Sequence, residues 1–230
     1  MSQVMAEISA SKVWDVKEFA LPRIPLVIGQ WVGPESQTPL QVEDMPIKFP
    51  GTEVRVPGDL HESHGSLIDQ IVSFDQKNFD SFDLQHIYLT ITQSVVNVGQ
   101  VQRIPGWHVD GYQKREPRII QHQYAVTNTL PTLFHVSSVE IEQLPKKEFF
   151  KTLAAKCETD GKKWQAEPGQ IHLLNSFCPH RPVETNCEEF RYFVRLSFSP
   201  IPFTRKNNTQ NPLFDYHWDL QTKKKFYKEE

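Results

Sequence analysis

The chain has 230 residues and a mass of 26.7 kDa, enough for one large core of the β or barrel type. A hydrophobic share of 38%, 23% charged residues and a net charge of −3 give no basic field for wrapping a phosphate backbone, which argues against broad nucleic-acid binding. No run of about 18 apolar residues occurs and the opening MSQVMAEISASKVWDVKEF lacks a basic region followed by an apolar one, so neither a membrane span nor a signal peptide is expected, and a soluble, cytoplasmic protein is.

Three cysteines, Cys157, Cys178 and Cys187, are too few and too odd in number for a disulfide framework, and free thiols are expected. The triplet Asn207-Asn208-Thr209 has no weight as a glycosylation site without a secretory route and reads as a polar loop.

In chain order, KVWDVKEFALP and IPLVIGQWV read as short strands, followed by the turn-rich connection GPESQTPL. HESHGSLIDQIVSFDQKNF breaks the alternation: Leu67, Ile68, Ile71, Val72 and Phe74 fall near helical spacing, with Ser66 as a cap. His61 and His64 at its start have a helical pair's spacing but no third ligand nearby, so a solvated turn is the simpler reading. HIYLTITQSVVNVGQVQRIPG is rich in strand formers and leads into GWHVDG; RIIQHQYAVTNTLPTLFHVSS supplies one or two further strands. PKKEFFKTLAAKCETDGKKW turns helical, with Phe149, Phe150, Leu153, Ala154 and Cys157 on one face. EPGQIHLLNSFCPHRPVE and FRYFVRLSFSPIPF are two more strands separated by the turn TNCEE, and the tail through Lys223, Lys224 and Lys225 reads as a solvated end. Many short strands interrupted by two helices predict one mainly β domain over 1–230, with a double-stranded β-helix (jelly-roll, cupin-like) architecture and flanking helices.

The chemistry concentrates at GWHVDG. In an extended segment His108 and Asp110 share one face while Trp107 and Val109 take the other. His180 in SFCPHRP, at the end of the strand announced by Pro168-Gly169, supplies a third ligand. Two imidazoles and one carboxylate occupy one face of an octahedral ion and leave the opposite positions open, the arrangement suited to non-haem Fe(II). Taken alone, His108 and Asp110 would be a capped turn with a local hydrogen bond. Cys178 and Cys187 flank His180, yet without a paired Cys-x2-Cys they read as buried thiols, not zinc ligands. His86, His122, His135, His172 and His217 lack ligand partners in sequence and default to core or surface roles.

HVD at 108–110, PGQIHLLNSFCPHR at 168–181 and RYFVRLSF at 191–198, in that order, resemble the Fe(II)/2-oxoglutarate-dependent dioxygenase superfamily, over roughly residues 85–200. The resemblance implies Fe(II) on His108, Asp110 and His180, with 2-oxoglutarate as cosubstrate. O2 is consumed, succinate and CO2 are released, and a small organic substrate is oxidised, most simply by hydroxylation. It also implies a basic residue for the far carboxylate of 2-oxoglutarate. Arg191 ranks first by its spacing from His180, and Arg195 second by the Arg-x-Ser pairing with Ser197. Arg191, Phe193, Arg195 and Ser197 share one strand face, so both arginines are expected to point inward, with Arg195 serving the cosubstrate or an anionic part of the substrate. Comparison with the nucleic-acid demethylase branch is weak, because the arginine spacing is shorter and the net charge acidic. Trp107, Tyr112 and TNTLPTLF are expected to line the mouth. The alternatives are a cupin-like metal enzyme without a keto acid and a non-catalytic β-sandwich that binds a ligand or partner.

Overall fold

Alternating β-branched and aromatic residues zip into two antiparallel sheets in the computed structural model, which describes residues 2–9, 14–112, 120–159 and 161–215. The elements are α1 (Gln3–Ser9), β1 (Leu26–Gln30), β2 (Leu40–Lys48), α2 (Gly58–Asn78), β3 (His86–Val96), β4 (His122–Thr127), β5 (Leu133–His135), α3 (Lys146–Thr159), β6 (Lys163–Gln165), β7 (Gln170–Asn175), β8 (His180–Arg181) and β9 (Glu189–Ser199). Six strands form one sheet in the order β1-β7-β4-β9-β3-β2 and three form another in the order β6-β5-β8. At the centre, β3 and β9 pair along their whole length, from His86 opposite Ser199 to Val96 opposite Glu189.

The two faces of the larger sheet have different work. Ile87, Leu89 and Ile91 of β3, Tyr124 and Val126 of β4, and Val194, Leu196 and Phe198 of β9 are buried in one apolar cluster with Leu67, Ile68 and Ile71 of α2. Burying this apolar surface stabilises the fold at about 25 cal/mol per Å². The opposite face carries Gln123 and Ala125, His172 and Leu174, and Arg191, Phe193 and Arg195, which line a cavity shared with Phe134 and His180 of the smaller sheet. Period-two alternation thus separates core from cavity.

The first elements depart from the sequence expectations. KVWDVKEFALP is not a strand: Asp15 accepts a hydrogen bond from the Lys17 backbone N–H at 3.0 Å and starts a 3-10 helix over Val16–Ala20, which buries Val16 and Phe19. Helix α2 starts at Gly58, three residues before the expected stretch, so Ser66, His61 and His64 lie inside it and Ser66 caps nothing. His64 is buried, with Ser63 Oγ on Nδ1 at 2.8 Å and the Gln93 amide on Nε2 at 2.9 Å. The stretch EPGQIHLLNSFCPHRPVE divides: β7 belongs to the larger sheet and β8 to the smaller, and the chain crosses between them at 176–179. Cys157, Cys178 and Cys187 are free, and Cys187 is exposed, contrary to the expectation of burial. Burial pushes the Cys157 and Cys178 thiols up to about 12. His217 and the lysines at 223–225 lie outside the described residues. No described helix is long and apolar enough to cross a membrane.

One buried polar group pins α2 to the sheet. Asp75 Oδ2 accepts from His122 Nε2 at 2.7 Å and from the Tyr124 hydroxyl at 2.8 Å, with Asp75 and Tyr124 fully buried. Burial, then the Asp75 charge, raises the Tyr124 hydroxyl far above its usual range, so it stays a donor. Asp75→Ala orphans two donors at about 1–3 kcal/mol each. Urea unfolding is expected to show a loss of about 2 kcal/mol or more, with Asp75→Asn losing less.

Candidate metal centre

The HVD stretch is shaped at both ends by glycines with left-handed backbone, Gly106 at φ 82° and Gly111 at φ 76°. A Cβ on Gly111 would also meet Ser176 Oγ at 2.5 Å, so the turn after Asp110 has no room for a side chain. Between them Trp107 and Val109 are buried in a second apolar cluster with Trp14, Phe19 and Phe149. That burial turns His108 and Asp110 to the opposite side. Trp107 Nε1 donates to Glu158 of α3 at 2.6 Å, which fixes the ring.

His180 arrives by the crossing between the sheets. Asn175 Oδ1 accepts the Phe177 backbone N–H at 3.0 Å, and β8 then pairs with β5, Phe134 opposite His180. On its other side His180 exchanges two backbone hydrogen bonds with His108, each 2.9 Å, in an isolated antiparallel bridge. One ligand atom from each of His108, Asp110 and His180 lies within 4.8 Å of the others, and theirs is the only such group of three or more metal-binding side chains among the described residues.

The imidazoles are oriented for the task. His108 Nδ1 donates to the Gly106 carbonyl and His180 Nδ1 to the Cys178 carbonyl, both at 2.9 Å. Each Nε2 is therefore left as a bare lone pair, the usual way a backbone carbonyl selects a ligand tautomer. Burial, reinforced by the neighbouring His108, pushes the His180 imidazole down to about 4, so it is neutral at pH 7. Burial pushes the Asp110 carboxyl up, but the Arg195 guanidinium, with His180, His108 and Arg103, outweighs it and holds the group below the usual carboxylate range. Two imidazole nitrogens and one ionised carboxylate fit a divalent first-row ion with open positions.

The two arginines of β9 part company. Arg195 donates to Asp110 Oδ2 at 3.2 Å and to Asp44 Oδ1 at 3.0 Å. Asp44 reaches it from a bulge in β2, where the register shifts between Val42 and Met45 and Asp44 takes φ 41°. The bulge re-aims a carboxylate inward. Arg191 is 2% exposed and meets only neutral acceptors: Gln102 Oε1 at 2.5 Å and the carbonyls of Thr129 and Leu130 at 3.2–3.3 Å. No carboxylate of a described residue lies within ion-pair distance of it. Burial, then the Arg103 charge, pulls its guanidinium down to about 9.

Both arginines line the cavity, as expected, and Ser197 does not. It is buried further along the same face with no hydrogen-bond partner for its hydroxyl, so it makes no Arg-x-Ser pair with Arg195. The aromatic mouth is also corrected: Trp107 faces the second cluster, Tyr112 packs on Trp14 and Phe149, and only Thr132 and Phe134 of TNTLPTLF reach the cavity. Sequence reasoning missed Asp44, Gln102 and Arg103, and it assigned His172, a cavity residue, to a default role. Arg103 lies five residues before His108 in QRIPGWH, a signal that was available; Asp44 had none, since a bulge leaves no pattern.

Neither a protein-family model nor a curated protein matches the sequence. Among solved structures, one titled "Crystal Structure of EvdMO1" aligns over 49% of this chain and 26% of that one, at 11% identity and a TM-score of 0.32. The aligned part is about a quarter of that protein's length, and a likeness of this size has no bearing on the function.

Proposed function

We propose that this protein is a non-haem Fe(II)- and 2-oxoglutarate-dependent dioxygenase on a double-stranded β-helix, oxidising a small organic substrate with release of succinate and CO2. The observation that carries the reading is the pairing of a two-histidine, one-carboxylate donor set with a buried arginine that no carboxylate of a described residue pairs, in the same cavity. Two antiparallel sheets that line that cavity together agree with the architecture. His108, Asp110 and His180 would hold the metal, which with the keto acid supplies O2 activation and oxidising power.

The chain's own part is positioning and electrostatics. Arg191 offers a planar fork to the far carboxylate of 2-oxoglutarate, a contact that a buried cation lacking a counter-charge favours. Arg195 keeps Asp110 ionised and fixes its direction, with Asp44 behind it. Ala125, opposite both His172 and Arg195 in the register, leaves space between them, and Phe193 and Phe134 give the cavity apolar walls that exclude water.

The test is succinate formation from 2-oxoglutarate with Fe(II), first without substrate and then against a metabolite panel. His108→Ala, Asp110→Ala and His180→Ala are each expected to abolish tight Fe(II) binding and turnover. Thermal unfolding of the metal-free proteins should stay close to wild type, because the ligands lie outside the apolar core. Asp110→Glu is expected to be as damaging as Asp110→Ala for turnover, since the added methylene displaces the carboxylate. Full turnover in all three alanine variants overturns the metal reading.

A further inference from the structure

The charged side chains around the cavity form one cluster whose balance can be struck. Arg195 bridges Asp44 and Asp110, Arg205 adds a contact to Asp44 at 3.4 Å, Arg103 lies 3.9 Å from Glu43, and Arg191 meets neutral groups alone. Of the charged described residues, Arg103, Arg191, Arg195 and Asp110 line the cavity itself; Arg195 is matched by Asp110 and Asp44, so Arg103 and Arg191 carry the positive excess of the lining. A divalent metal and dianionic 2-oxoglutarate cancel each other. On the functional reading above, on which this step rests, the excess survives when both are bound.

Arg103 is the side chain placed to use it. Its guanidinium sits 5.0 Å from the centre of the Phe193 ring, the same ring that lies 5.5 Å from the Arg191 guanidinium. Two like charges on one ring are a standing repulsion that an anion between or beside them relieves. Arg103 is also poorly satisfied. Its Nη1 reaches Thr92 Oγ1 at 3.5 Å and Glu43 at 3.9 Å, both at the edge of contact, and Nε and Nη2 have no acceptor among the described residues. Its side chain is 24% exposed and lines the cavity beside Ile104, itself 59% exposed, so it stands where the cavity meets solvent. The adjacent Gln102 holds Arg191 by its side chain, so one loop serves both guanidiniums.

We infer that the substrate is a small organic monoanion whose carboxylate, sulfonate or similar oxyanion pairs with Arg103, while its uncharged part lies along Phe193 toward the metal ligands. A planar fork suits an oxyanion. The cavity is open to solvent at one side, which gives a small molecule a way in.

Two titrations separate this inference from the reading beneath it. Calorimetry of the anaerobic Fe(II) protein saturated with 2-oxoglutarate uses acetate, methanesulfonate and methyl phosphate as probes, with acetamide as the neutral control. Saturable binding of at least one anion and none of acetamide is expected in wild type. A loss of tenfold or more is expected in Arg103→Gln, with partial recovery in Arg103→Lys. The second titration follows 2-oxoglutarate itself by its charge-transfer absorbance, which Arg103→Gln should leave within a factor of two or three and Arg191→Ala should remove. No saturable anion binding, equal binding of acetamide, or full binding in Arg103→Gln overturns the monoanion assignment. If wild type shows no 2-oxoglutarate band, the keto-acid reading fails by itself, and the Arg103 dependence of anion binding to the metal-free protein still decides the assignment: its presence supports a monoanion ligand and its absence overturns it.

Discussion

Arg191→Ala is expected to lower 2-oxoglutarate affinity by roughly 150- to 5,000-fold, the equivalent of about 3–5 kcal/mol for stripping one member from a buried charge pair. Fe(II) should stay bound, because Arg191 touches none of the three candidate ligands. Arg191→Lys should recover only a fraction, since an ammonium offers a point charge where the site presents a fork. Arg195→Ala should behave in the opposite sense. It removes the guanidinium that fixes the direction of the Asp110 carboxylate, and lost ligand orientation should lower metal affinity by about 10- to 100-fold, with cosubstrate affinity following it. Anaerobic titration of each Fe(II) protein by its charge-transfer absorbance reads both quantities. If Arg191→Ala binds 2-oxoglutarate as wild type does, the cavity's uncompensated arginine has another purpose and the keto-acid reading is withdrawn.

The second large effect is on stability. Arg23→Ala is expected to cost about 3–5 kcal/mol, because it leaves the Glu7 carboxylate of α1 buried without its partner. The pair is 1% exposed on each side, with Arg23 Nε donating to Glu7 Oε2 at 2.8 Å and Nη2 to Oε1 at 2.6 Å. Asn175 Nδ2 donates to Glu7 Oε2 at 2.7 Å, which joins α1 to the end of β7. Glu7→Gln should cost less, because Arg23 retains Glu18 Oε2 at 3.1 Å. Glu7→Leu combined with Arg23→Met should recover most of the loss, since no buried charge is then left alone. Burial raises the Glu7 carboxyl, but the hydrogen bonds from Arg23, Gln3 and Asn175 and the Arg23 charge together bring it below its ordinary 4.5. A carboxyl depressed in the folded state contributes stability above the unfolded value and loses it on acidification. Wild type should therefore lose this contribution as pH falls below about 4.5, while the apolar double variant should not. Urea unfolding at pH 7 and at pH 3.5 gives the four numbers.

Strands β3 and β9 were legible because alternation on a two-faced strand leaves a period-two trace in Tyr88, Thr90 and Thr92 against Ile87, Leu89 and Ile91. The face of α3 was legible for the same reason at helical period, with Phe149, Leu153 and Cys157 buried as predicted. Strand β2 was not, because two register shifts and Pro46 erase its alternation, a pattern tolerated only on an edge strand. Helix α1 was missed because it is only seven residues long, and its apolar anchors Val4 and Ile8 share the buried face with Glu7, whose partner Arg23 lies 16 residues away. At the candidate site the order of His108, Asp110 and His180 was readable, but the division of labour between Arg191 and Arg195 was not. That division depends on Asp44, which the β2 bulge carries to Arg195 from 151 residues away.

The reciprocal backbone bonds between His108 and His180 give the site a mechanical character. The two histidines are 72 residues apart in the chain, and closing a loop of that length costs roughly 4 kcal/mol of chain entropy. Here the closure is completed by a peptide rung, 2.9 Å in each direction, made by the backbone alone. A cation binding at the proposed site would be spared that cost, because the backbone already brings the two imidazoles together. The rung therefore holds the two imidazoles side by side through the smaller sheet's edge, whatever their ring nitrogens contact.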